Sequence, residues 1–76
     1  EMEAILKFSL PNDKWEFKMA NESAGMHSVI WDMDKWLRSK IKHAPDSMSE
    51  DTYNAFEVCR DQLHEFINEN NINLEA

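Results

Sequence analysis

Between Met26 and Lys42 the apolar residues Met26, Val29, Ile30, Met33, Leu37 and Ile41 recur at spacings of 3, 1, 3, 4 and 4. That is the stripe of a period-3.6 element, and it commits the middle of the chain to an amphipathic helix. Trp36 sits at the edge of the stripe, and Trp31 lies well off it, about 100° from Ile30. Arg38, Lys40 and Lys42 fill the last turns, where cations complement the carbonyl end of the helix dipole. Ala44-Pro45 then stops the element, because the residue before a proline disfavours the helical region. Gly25 punctuates the other end, so the pattern predicts a helix over about 25–43.

A second helix is predicted over about 49–70. Ser47 and Ser49 both offer an N-cap, and Ser47 has Glu50 three residues on, the spacing of a capping box. Tyr53, Phe56, Cys59, Leu63, Phe66 and Ile67 form one face, while Glu57, Asp61, Glu65 and Glu69 recur every four residues on the other. Asn70-Asn71 suits the end, since asparagine tolerates the left-handed conformation of a C-cap.

The N-terminal quarter supports two readings. Leu6, Phe8 and Leu10 alternate with polar residues, as do Trp15, Phe17 and Met19, with Pro11-Asn12-Asp13 between them. Period 2 on both sides of a turn describes a β-hairpin and an α+β fold. The rival is an extended Ile5–Ser9 followed by a short helix with Pro11 in its first turn and Asp13 near its N-terminus. Glu1 precedes Met2, so Met2 reads as the native start and Glu1 as an appended residue.

Composition sets outer bounds. Seventy-six residues form a single domain, 1–76. Eight Lys and Arg against fifteen Asp and Glu give −7, which argues against direct nucleic-acid binding, since such binding rests on a cationic surface. Three Trp and four Phe argue against disorder, and the single Cys excludes an internal disulfide framework and fits a reducing cytoplasm. No apolar run approaches the roughly 18 residues of a membrane span, and no signal-peptide pattern opens the chain.

Phe8-Ser9-Leu10-Pro11, Phe17, Trp31, Asp34, Leu37-Arg38 and Lys42 together resemble a family of small acidic proteins encoded in bacteriophage and prophage genomes. Its general pattern is Phe-x-Leu-Pro, an acidic segment containing Phe, then Trp-x-x-Asp-x-x-Leu-Arg-x-x-x-Lys and a final long helix. The likeness covers nearly the whole chain; it departs at Asn12-Asp13, where relatives carry acids directly after the proline, and at Trp15. The resemblance implies a phage origin, a bacterial host cytoplasm and a short first helix, and supplies no biochemical role. The fold expected is therefore mainly α: two long antiparallel helices with an N-terminal extended segment and short helix packed across them.

Few constellations carry chemistry. Cys59 and His64 are five apart, about 140° around a helix, so they do not form a thiol–imidazole pair within the segment, and Cys59 reads as a core residue of the apolar face. His27, His43 and His64 include no i, i+4 pair with one another or with Cys, so no metal and no cofactor is expected. With no nucleophile, base and orienting group at workable spacing, the chain is not expected to be an enzyme. Arg38 follows Asp34 by four, the spacing of an ion pair on one helix face, or of an oriented guanidinium offered to a partner's carboxylate or phosphate. Lys35, Arg38, Lys40 and Lys42 form an acid-free basic run, which beside Trp36 suggests a small-nucleotide site as one alternative. The acidic face of Glu57, Asp61, Glu65 and Glu69 suggests another, imitation of DNA towards a host enzyme. Trp31 either packs on the N-terminal segment or joins Trp15 or Met19 in an exposed patch that calls for a partner, such as a second copy. The function expected is a non-catalytic interaction module that binds a host or phage protein, with Trp31, Trp36, Arg38 and Lys42 as contacts and a homodimer as one form.

Overall fold

Ser9 to Asp13 turn the chain into the first helix: the Ser9 carbonyl accepts from the Asp13 backbone N–H at 2.7 Å, and the Asp13 carboxylate accepts from the Ser9 N–H at 2.8 Å. The Asp13 side chain is thereby spent on the turn and makes no cap hydrogen bond to the helix. In this computed structural model, which describes residues 1–75, helix α1 runs without interruption over Lys14–Lys42 and helix α2 over Glu50–Glu69. Residues 1–9 lack regular structure, and Phe8 comes back against Phe17 of α1 with ring centroids 5.5 Å apart.

The mainly α architecture with two antiparallel helices is as expected, and the alternative β-hairpin is not formed, since residues 14–20 are helical. The expected break at Gly25 needs correcting. Gly25 has no positive φ, and the short first helix and the helix of 25–43 are one element. A glycine inside a helix costs about 1 kcal/mol relative to alanine but removes no hydrogen bond, and Lys, Glu, Met and Ala on its N-terminal side favour the helix.

The start of α2 is set by Ser49, whose hydroxyl accepts from the Thr52 N–H at 3.1 Å. Ser49, and not the capping-box spacing from Ser47, supplies the cap. The end is a Schellman arrangement: Asn71 adopts φ 55°, its N–H reaches the Asn68 carbonyl, and the Ile72 N–H reaches the Ile67 carbonyl, both at 3.1 Å.

The helices meet along a seam that alternates by three and four. On α1 it runs His27, Ile30, Asp34, Leu37 and Ile41; on α2, Tyr53, Phe56, Arg60, Leu63 and Ile67. All ten are buried or half-buried. The core on this seam is thin. Among the described residues Leu37 and Ile67 are the only buried apolar side chains, and Asp34 is buried with them. Met26, Val29 and Met33, placed by the sequence on the buried stripe, are exposed instead, because the seam is only one helix wide and they lie to one side of it.

Candidate binding face

Because successive residues turn by 100°, every helix position falls on the seam or to one side of it, and the two sides of this hairpin differ sharply. On one side α1 presents Met26, Val29, Met33 and Trp36, and α2 presents Val58, Cys59, Gln62 and Phe66. Trp36 is 50%, Val58 65% and Phe66 55% exposed. Met33 and Trp36 of α1 with Val58, Cys59, Gln62 and Phe66 of α2 frame an apolar cleft of about 590 Å³ between the helices, floored by Leu37, Phe56 and Leu63. Phe56 meets the Trp36 ring edge-on at 5.8 Å and so fixes the indole at the rim. Lys40 extends over the same indole, its Nζ 5.3 Å from the ring centre, covering it with a cation–π contact and leaving the cleft itself free of charge.

The other side is polar, and a buried carboxylate lies at the seam beneath it. Asp34 Oδ1 accepts from Arg60 Nε at 3.0 Å and from His64 Nε2 at 2.6 Å, both from α2, and Lys35 Nζ stands 3.9 Å from Oδ2. Burial pushes the Asp34 carboxyl up, but the hydrogen bonds and charges of Arg60 and His64 outweigh it and hold the group below the ordinary carboxylate range. The expected Asp34–Arg38 ion pair is therefore corrected. Asp34 turns inward to the opposite helix, while Arg38 points outward and makes no ion pair among the described residues. The tail after α2 closes over this polar side: Glu75 lies 3.6 Å from Lys35 Nζ, and the Asn73 carbonyl 3.4 Å from His27 Nε2.

The four aromatic and basic residues singled out from sequence do not share one surface. Trp36 belongs to the apolar side. Trp31, Arg38 and Lys42 fall on the polar side, where Arg38 and Lys42 line a shallow depression with Lys35, Ser39 and His43. Trp31 is 40% exposed, with Lys35 Nζ 5.2 Å from its ring, and it does not join Trp15 or Met19. Met19 is twelve residues back along the same helix, about 18 Å away. A nucleotide site using Lys40, Lys42 and Trp36 is likewise divided between the two sides.

Glu57, Asp61, Glu65 and Glu69 are all exposed, but a four-residue repeat advances about 40° per step, so they wind through roughly 120° of the helix surface. Cys59 is exposed at the apolar cleft and is not a core residue, because the α2 seam passes through Phe56, Arg60 and Leu63 and leaves position 59 to the side. The Asp34–Arg60–His64 cluster was not anticipated. Its signal is a charged residue of opposite sign at the middle of each helix's three-four alternation, visible once both seams are written out.

Among the described residues no three His, Cys, Asp or Glu side chains converge as a ligand set for a metal ion, and no helix is long and apolar enough to cross a membrane. Comparison of the chain with protein-family models, with curated proteins and with solved structures finds no match.

Proposed function

We propose that this chain is a non-catalytic protein-interaction module, phage-encoded and acting in the cytoplasm of a bacterial host, and that it binds through the apolar side of its helical hairpin. The observation that carries this reading is the continuous apolar surface of Met33, Trp36, Val58 and Phe66, set around an uncharged cleft on a scaffold that has, among the described residues, only two buried apolar side chains. Soluble monomers rarely leave such a surface uncovered, and aromatic anchors at the rim of a pocket are the side chains that dominate protein recognition. Trp36 is the principal contact. Arg38 and Lys42, on the polar side, contribute little.

A tagged chain expressed in a bacterial host tests this by comparison of variants. The wild type retains its protein partner, whether a foreign chain or an untagged copy. The Trp36→Ala/Phe66→Ala variant loses it, and the Arg38→Ala/Lys42→Ala variant keeps it. Retention by the first variant, or loss by the second alone, refutes the assignment of the face.

A further inference from the structure

The surface of this chain is too large for its mass. A compact 9.0 kDa monomer exposes about 4,850 Å² and reaches a radius of gyration of about 11.4 Å. This chain exposes 6708 Å², with a radius of gyration of 17.6 Å and extents of 55 × 31 × 19 Å. The excess of about 1,900 Å² is shared between the extended N-terminal residues, where Met2 is 97%, Ile5 76% and Leu6 78% exposed, and the open apolar side of the helices; a stable interface buries roughly 800 Å² per partner. Two helices packed side by side, α1 against α2, make a single layer. One layer with one apolar side is half of a two-layer helical domain.

From these dimensions we infer that the occupant of the apolar side is a second copy of this chain, and that two hairpins pack face to face as an antiparallel four-helix bundle with α1 of each copy lying on α2 of the other. The inference rests on the function proposed above and names its partner. A bundle closed in this way brings Trp36 and Phe66 of both copies into a shared core and supplies the layer that Leu37 and Ile67 lack.

Charge selects the pairing. Of the basic run at the end of α1, Lys40 lies on the apolar side over Trp36, whereas α2 carries six acids and one arginine. A two-fold axis parallel to the helices sets α1 on the partner's α2, Lys40 on the side of the acidic helix, with both loops at the same end. A two-fold axis perpendicular to the helices and lying between the layers sets α2 on the partner's α2. That brings two strongly acidic helices together, which is unfavourable across any desolvated surface.

Sedimentation equilibrium of the purified full chain at micromolar concentration gives the first reading. Twice the 9.0 kDa protomer mass is expected, and a folded particle of one protomer mass overturns the inference. A monomer whose Trp36→Ala/Phe66→Ala variant still loses its captured partner leaves the proposed function standing, whereas a monomer whose variant still captures defeats both. Pairing is read by spin labels at Asp46→Cys in the interhelical loop, in a Cys59→Ser background checked for the same mass. Loops at one end stand about one interhelical spacing, ~10 Å, apart at the backbone. Loops at opposite ends stand at least the length of α2 apart, about 30 Å, and that longer distance overturns the α1-on-α2 arrangement. Should Cys59→Ser disturb assembly, the wild-type mass still decides between one copy and two.

Discussion

Replacing Asp34 by asparagine keeps the shape of the seam and removes its charge, so it isolates what the carboxylate contributes. Asp34 accepts from Arg60 at 3.0 Å and from His64 at 2.6 Å, and hydrogen bonds to charged groups are worth about 1.5–3 kcal/mol each when the partners are buried. Here the partners are part-open, the Arg60 side chain 27% and the His64 side chain 45% exposed, so water screens the pair and the two bonds together are worth about 2 kcal/mol. That is roughly a 30-fold change in the folding equilibrium and a fall of about 8–16 °C in melting temperature for a chain of this size. The pH dependence supplies the control. The Asp34 carboxyl titrates below its ordinary value in the folded state, so its contribution is fully present above the unfolded value of about 3.9 and is lost as the pH falls through the lower folded value. Melting followed by circular dichroism, at one protein concentration because association raises the midpoint, shows Asp34→Asn well below wild type at pH 7. The gap begins to narrow as the pH drops below about 4 and closes only below the lower folded value, where both side chains are neutral. Equal melting temperatures at pH 7, or a gap that persists unchanged in acid, refute the cluster as the source of the stability.

Three further outcomes are expected. Gly25→Ala stabilises the chain by about 0.5–1 kcal/mol, because a Cβ there meets nothing within 4 Å and φ is not positive; a lower denaturant midpoint contradicts the continuous helix. Ser49→Ala costs about 1 kcal/mol in denaturant unfolding through loss of the bond from the Thr52 N–H, whereas Ser47→Ala changes the midpoint little. The double replacement Asp34→Leu/Arg60→Leu holds or raises stability, by up to about 4 kcal/mol, while relaxing the register of α1 on α2. Amide spectra then show more than one conformer, and a single sharp set of resonances argues against a register role.

Helix content, the end of α1, both ends of α2 and their direction were legible because they rest on local chemistry: the spacing of Ile30, Leu37 and Ile41, the stop at Ala44-Pro45, and the caps at Ser49 and Asn71; the start of α1 was not, because Gly25 does not break the helix. The seam was legible only in part. Asp34 and Arg38 satisfy the intrahelical spacing for an ion pair, and nothing local to α1 says that Asp34 points inward, since that depends on Arg60 arriving opposite it from twenty-six residues away. Cys59 reads as a core residue in the sequence for a related reason. An apolar arc wider than one seam reads as buried in sequence, and only the number of neighbouring helices decides how much of it is covered.

The apolar side stays open because the terminal segments of the chain reach elsewhere. The tail after α2 turns back through Ile72 and Leu74, both half-buried, and lies along the polar side, tied to Lys35 through Glu75 and set beside His27 at Asn73. The N-terminal segment is drawn to the start of α1 by Phe8 on Phe17 and by Ser9 on Asp13. Neither approaches the cleft at Trp36 and Phe66, whose lining comes wholly from the two helices. Covering that cleft from within requires a terminal segment to give up its existing contacts, and Arg60 and His64 stay committed to Asp34 at the seam throughout. A second molecule covers it at no such cost, so the placement of the tails and the openness of the face are two consequences of one arrangement.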